Sequence, residues 1–453
     1  MGVDNDGPWV ARNQTIPRAG VGPTRRILNG IRPGLLWSIA ALAFVVRLAA
    51  AIFTGGLQHP ELYEYDDIAR NILAGDGFTY PHIGGVVYHS YAAPLPAWIS
   101  AASYWLTGSI AGAMMLQIAA GAALAVVVAI IAGRLFGGWV APLAAGLLIA
   151  FHPGLVLYTA TKSHPLAYDA LFFTLALLAS IRLFERTTLR RAVELGLVIG
   201  VGALSRGTIV IFLPLAAAWL LFVTPRASWG SVIRSVVVAG ACATVVIAPW
   251  TIRNSRLHDQ FVFLLTTDAE DFWRGNNPGA TGHSYVDAGR IVLDTLPADE
   301  LRDLRQQPDE LAQARWFSVR ARAFTREQPV EFVRLTSRKF FYFWWFAPQT
   351  GVLYPQFWLW LYQAYYVAAV LLAFVGLSRV VRVGAPSIHL ACVIGAFLLG
   401  LSALQSLYYV EGRHRWAVEP MVLAFSGGGV AALLERRRTR VRPQAAAPRS
   451  RLP

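Results

Sequence analysis

Apolar stretches long enough to cross a bilayer constrain this chain more than any other feature. The first, "GLLWSIAALAFVVRLAAAIF" at 34–53, reaches the roughly 20 residues that a helix needs to span the hydrocarbon core. It has no small-residue cleavage site and exceeds the apolar region of a signal peptide, so it is read as a retained first span. Further runs recur to residue 435, and the composition agrees. The sequence is 55% hydrophobic and 15% charged, a combination soluble domains rarely show. The expected architecture is all-α and polytopic: about ten transmembrane helices, juxtamembrane helices on the outer face, and an extracytoplasmic loop region of moderate size.

The net charge of +14 invites a nucleic-acid reading. Much of the arginine, however, sits in the tails and short loops, where it reports topology. Arg12, Arg18, Arg25, Arg26 and Arg32 mark a cytoplasmic N-terminal tail at 1–33, and "ERRRTRVRPQ" marks a cytoplasmic C-terminal one. The loops "ERTTLRR" (185–191), "TPRASWGSVIR" (224–234) and "SRVVRVG" (378–384) add to the inner side. Spans then fall at 34–54, 109–133, 138–153, 165–184, 189–204, 208–223, 232–250, 354–378, 386–406 and 417–435. That parity returns both ends to the cytoplasm and leaves "PLPAWISAASYWLTG" (94–108) as a helix lying in the interface. Outside lie a first loop at 55–108 and a second region at 251–353, and residues 436–453 read as a disordered basic tail. Cys242 and Cys392 both fall in apolar runs, so no disulfide framework is expected.

"HPELYEYDDIARNILAGDGF" (59–78) follows the first span directly. Leu62, Tyr65, Ile68, Ala69, Ile72 and Leu73 recur at helical spacing, with Asp66, Asp67 and Arg70 on the other side. Pro60 suits a first helical turn, and "GDG" (75–77) ends the helix. Glu61 is then expected in that turn, where free N–H groups favour an ionised carboxylate. An ionised acid at a membrane face is a candidate general base, with Glu64 and Asp66 in reserve. The plainer alternative is that these acids solvate a surface helix and offset Arg70. Glu61, Asp66 and Asp67 are also candidate ligands for a divalent cation such as magnesium or manganese. The histidines lack zinc-ligand spacing, and no nucleotide-binding glycine loop stands out.

The remaining polar motifs gather on the outer side. "VVYHSYAAP" (86–94) carries His89 and Tyr91, and "HPGLVLYTATKSHPLAYD" (152–169) carries Tyr158 and Lys162. "LSRG" (204–207) carries Arg206, "APWTIRNSRLHDQF" (248–261) carries Arg253, and "DFWRGNNPGATG" (271–282) carries Asn276. "YYVEGRHRWAVEP" (408–420) carries Arg413 and Arg415. Arginines at the outer face need partners. A lipid phosphate is one, since guanidinium presents a fork of donors to phosphate oxygens; local carboxylates are another.

Taken in this order, "EYDDIARNILAGDGF", "LSRGTIVIFLPLA", "APWTIRNS", "FWRGNNPGATG" and "GRHRWAVEP" resemble landmarks of the GT-C glycosyltransferases, over about 34–435. That family includes bacterial relatives of protein O-mannosyltransferases and of the lipid A aminoarabinose transferase. The resemblance implies transfer of a sugar from a polyprenyl-phosphate donor to an envelope glycan, lipid or protein at the outer face of the bacterial inner membrane. It assigns catalysis to Glu61, where the family usually has aspartate. Arg206, Arg253, Arg413, Arg415, Tyr65, His89, Tyr91, Lys162 and Asn276 become candidates for binding donor phosphate or sugar. Where relatives often carry a further acid, this chain has "TKSHP". A lipid-linked-sugar flippase and an inactive scaffold are the competing readings, and a nucleic-acid partner is not expected.

Overall fold

The computed structural model describes residues 32–352 and 354–441, with side chains to residue 437. The N-terminal tail before residue 32 and the chain after 441 lie outside the described residues. Helix α1 (Pro33–Phe53) starts on a first-turn proline, whose missing N–H costs nothing there. It is followed by the short α2 (Glu64–Ala74) and by α3 (Pro94–Thr107). α4 (Ala111–Phe136) turns through a tight glycine pair into α5 (Val140–Ala150) and the bent continuation α6 (Pro153–Thr161). The bundle continues through α7 (Leu166–Glu185), α8 (Leu189–Ala203), α9 (Phe212–Val223) and α10 (Trp229–His258). Next come α11 (Asp268–Gly275), α12 (Ala298–Arg305), α13 (Glu310–Glu327) and α14 (Pro329–Trp344). The last four are α15 (Gln356–Val383), α16 (Ala385–Ser406), the single-turn α17 (Gly412–Trp416) and α18 (Glu419–Val441).

Every run expected to span is helical. Among the described residues six helices are long and apolar enough to cross a membrane, or seven if the pair α5 and α6, bent by 44°, is one span. The expected ten counted two runs that fold as helices of 15 and 12 residues, α8 and α9, and a third, α18, rich in charge at its ends. α3, at 14 residues, is about 21 Å long and too short to cross. Its Trp98 and Trp105 are exposed, as an interfacial helix requires. One boundary moves: the tail expected to begin at 436 is still helical to Val441, because nothing in "RRRTRV" breaks α18.

Small residues set the closest helix contacts. In α18 a Cβ on Gly429 would fall 2.0 Å from the Leu372 carbonyl oxygen of α15, and one on Gly427 would fall 2.5 Å from that of Ala141 in α5. "SGGG" therefore lets three helices approach backbone to backbone, which in lipid replaces a hydrophobic driving force.

The two regions expected outside join in one small core of their own. Ile83, from the first loop, packs with Trp273, Val292, Leu304, Trp316, Phe317 and Ala321 of the second. The short hairpins β1–β2 (Tyr80–Pro81, Val87–Tyr88) and β3–β4 (Tyr285–Asp287, Arg290–Ile291) edge this unit. Buried Glu310 at the start of α13 ties it down. Its carboxylate accepts from the His89 N–H at 2.8 Å, the Ser90 N–H at 3.3 Å and the Thr266 hydroxyl at 2.6 Å. A carboxylate desolvated this fully survives only with its lone pairs filled.

Candidate active site

Glu61 does not lie in the first turn of α2. The helix starts three residues later, at Glu64, and Glu61 is extended chain paired with Lys162. The Glu61 N–H donates to the Thr161 carbonyl at 2.8 Å, and the Ser163 N–H donates back to the Glu61 carbonyl at 3.0 Å. Those tertiary bonds outcompete one more helical turn. They form because Gly56 passes so close to α6 that a Cβ there would sit 1.8 Å from the Ala160 carbonyl oxygen. On the other side, His152 caps α6 by accepting the Leu155 N–H at 3.0 Å, and Pro153 starts it. The end of α6 is thereby fixed beside the chain leaving α1.

This backbone bridge forces two side chains together. Lys162 Nζ donates to one carboxylate oxygen of Glu61, and the Tyr63 hydroxyl donates to the other at 2.7 Å. The ammonium also sits over the rings of Tyr63, Tyr158 and Tyr354, at 5.5–5.6 Å from each centroid. Partial burial raises the Glu61 pKa, but the bonds from Lys162 and Tyr63 and the charges of Lys162 and Arg413 outweigh it. The carboxyl is held below its usual value of 4.5 and is ionised at neutral pH.

Facing this pair is Arg413, from α17. Its Nε donates to Glu411 at 2.9 Å and its Nη1 to the Tyr158 hydroxyl at 3.3 Å, while Glu411 accepts from Ser284. Between the two ion pairs lies a cavity of about 250 Å³. Its walls carry Glu61, Lys162, Glu411 and Arg413 together with Tyr158, Tyr354 and Trp416, so charged groups meet faces that can stack on a sugar ring. Tyr158 stands between the cations, its ring under Lys162 and its hydroxyl on Arg413.

The other candidates divide. Glu64 is half-buried and lies in the field of Arg413, His82 and Arg274. Burial dominates and raises its carboxyl pKa. Tyr65 packs edge-on against His164 behind the cavity. Asp66, expected on the solvent side of α2, is instead buried against α3, bonded to Tyr104 and to Arg70 at 2.7 Å. Asp67 and Arg70 are exposed as expected, with Leu73 beside them, while α3 offers Asp66 a phenol and covers it. Arg206 pairs with buried Asp169 at 3.4 Å. Arg253 is consumed within the protein, donating to the His89 carbonyl at 2.6 Å and stacking on Trp250. His89 serves that contact through its backbone, and Tyr91 packs among Tyr80, His82 and Tyr88. Asn276 is fully buried, bonding the Phe272 and Leu407 carbonyls and Lys339. Arg415 is buried against Tyr362, Tyr366 and Glu419.

Glu61, Asp66 and Asp67 do not converge as a cation site, because Lys162 holds the first and Arg70 and Tyr104 hold the second. Among the described residues no three His, Cys, Asp or Glu side chains gather as metal ligands. Sequence reasoning passed over Glu411, Tyr354 and Trp416. Only the place of Glu411 two residues before Arg413 in one motif signalled it.

A protein-family model described as dolichyl-phosphate-mannose-protein mannosyltransferase matches residues 91–252, a stretch that holds Lys162 and Arg206 but neither Glu61 nor Arg413. A comparison with curated proteins found no match. Among solved structures, the apo oligosaccharyltransferase of Archaeoglobus fulgidus superposes with a TM-score of 0.54 at 13% identity, over 90% of this chain and 51% of that one. The archaeal oligosaccharyltransferase AglB of Archaeoglobus fulgidus, in complex with an inhibitory peptide and a dolichol-phosphate, gives 0.52 at 13% identity, over 91% and 52%. ArnT from Cupriavidus metallidurans bound to undecaprenyl phosphate gives 0.43 at 13% identity, over 88% and 78%. This chain spans about half the length of the archaeal structures. At such identity the likeness is one of fold: the chain has the GT-C fold of a multi-pass membrane protein.

Proposed function

We propose that this GT-C-fold chain is a glycosyltransferase that moves a sugar from a polyprenyl-phosphate donor to an envelope acceptor. The cavity would then open at the outer face of a bacterial inner membrane, with both termini cytoplasmic. One observation carries the reading: a single cavity brings an ionised carboxylate within reach of two cations set on either side of Tyr158. Glu61 takes the proton of an acceptor hydroxyl as its oxygen attacks the anomeric carbon. The bond from that carbon to the phosphate oxygen breaks, and its electron pair leaves with the polyprenyl phosphate. The configuration inverts, because in a single displacement the acceptor oxygen attacks the face opposite the departing phosphate. A phosphate is weakly basic, so this departure needs no general acid, unlike the alkoxide of glycoside hydrolysis. Lys162 and Arg413 stabilise the leaving phosphate, whose charge grows as the bond breaks.

Donor transfer in membranes tests this. Membranes carrying wild type, Glu61→Gln or Glu64→Gln are offered radiolabelled polyprenyl-phosphate mannose, galactose, arabinose and glucose, with total envelope as acceptor. The expected result is label in one envelope fraction from one donor, lost in Glu61→Gln. Loss in Glu64→Gln alone would move the base to that residue. Vesicles in which the purified protein moves labelled lipid across the bilayer without a glycosyl product would replace transfer with flipping.

A further inference from the structure

In the resting structure the proposed base is occupied. Lys162 neutralises Glu61 from one side and Tyr63 bonds it from the other, so each oxygen already accepts a hydrogen bond and the charge that would draw a proton is offset. Opposite, Arg413 is neutralised by Glu411. A lipid phosphate entering between the cations would meet two ion pairs and no unneutralised charge.

We infer that Lys162 couples donor binding to release of the base: the donor phosphate takes the ammonium from Glu61, and only then does the carboxylate become available to the acceptor. This rests on the glycosyltransferase reading above.

Three features of the site support the exchange. The backbones of Glu61 and Lys162 are locked to each other by the paired bonds around residues 161–163, so the switch is confined to side chains. The ammonium sits among three phenol rings at nearly equal distances, and these rings solvate it as it swings from one anion to another. Tyr158 touches both cations, which sets the place where a phosphate bridges them. The exchange is also cheap. The Glu61 side chain is 58% exposed and that of Lys162 11% exposed, so the pair is solvent-screened on the carboxylate side and weak enough to be broken by a second anion. Coupling of this kind keeps the base inactive until donor is in place, which limits proton transfer to water or to acceptor alone.

The test is a double-mutant cycle on binding of undecaprenyl phosphate to the purified full chain in nanodiscs. If Glu61 competes with the phosphate for Lys162, Glu61→Gln binds the lipid on the order of fivefold tighter than wild type, as expected from removing a partly exposed ion pair. Lys162→Gln binds it more weakly, Lys162→Arg restores binding, and the tightening by Glu61→Gln shrinks in the Lys162→Gln background. Equal tightening with and without the lysine would overturn the coupling, since it would report plain repulsion between Glu61 and phosphate. Weaker binding by Glu61→Gln would overturn it too. Should that variant not fold, Glu61→Ala replaces it with the same expectations. The pH profiles give a second readout that a structural role would not move. The acid limb of kcat, set by the donor complex, should lie at higher pH than that of kcat/KM, set by the free enzyme. Coincident limbs would sink the coupling. Wild type that binds no undecaprenyl phosphate would instead bring down the function reading itself, and the coupling with it.

Discussion

Arg413 and Arg415 lie two residues apart in one helical turn and come to opposite ends. Two positions along a helix are about 200° apart, so the side chains leave in nearly opposite directions. Arg413 points into the cavity, with 27% of its side chain exposed; Arg415 points away from it and is 1% exposed. The networks differ in kind. Arg415 bonds Tyr362 at 2.7 Å and the carbonyls of Phe343 and Trp345 at 3.3 Å, stacks on Tyr366, and faces Glu419, which also meets His152 at 3.2 Å. It is closed on all sides and can only hold helices together. Arg413 and Lys162 each have one acid and one open side. A charge network becomes a site when the fold leaves a face of it uncovered.

That contrast can be broken by experiment. The largest expected effect is on Glu61→Gln, which should lower transfer about 10³-fold while its thermal melting in detergent stays near wild type. A melting loss equal to the activity loss would place Glu61 in the structural class. Arg415→Ala should do the reverse. Leaving Glu419 buried without its cation costs about 3–5 kcal/mol of stability, read as a lowered melting midpoint and poor yield. Arg413→Ala should lower kcat/KM about 10²-fold through loss of one donor to the leaving phosphate. Its melting loss should be smaller than that of Arg415→Ala, and a larger one would erase the distinction between the two arginines.

The next effect is on pH dependence. The Glu61 carboxyl is held below 4.5 in the free protein, chiefly by Lys162 and Tyr63 against the opposing effect of burial. The kcat/KM profile should therefore stay flat as pH falls toward that value and drop only below it. The Lys162–Glu61 pair contributes stability above the unfolded pKa of the acid and loses it as pH falls through the lower folded one. An acid limb above the usual carboxylate value of 4.5 would point to Glu64, whose carboxyl is raised by burial. The smallest effect is on Asp66→Asn. It weakens the bonds to Arg70 and Tyr104 for about 1 kcal/mol, with transfer unchanged.

Much of this architecture was legible in the chain. Apolar runs of spanning length dictate helices, since in lipid only internal hydrogen bonding satisfies the backbone, and every such run is helical. α3 was readable as interfacial from its tryptophans, and the end of α2 from "GDG", where Gly75 takes a left-handed φ of 95°. The ends of α2 were half right: a period of 3.6 marks a helix but not the residue where a competing partner stops it. Asp66 shows the same limit, because its burial depends on Tyr104, from another helix.

By itself, then, the sequence determined which segments are helical, and that acids and arginines collect near span ends. Those properties follow from local chemistry: hydrophobic length, backbone φ and helical period. Tertiary structure alone decided the partners. Only the approach of Gly56 to α6 puts Lys162 on Glu61, and only the direction of α17 separates Arg413 from Arg415. A pattern along the chain fixes the face a residue occupies, while the chemistry of a site depends on what lies across from that face.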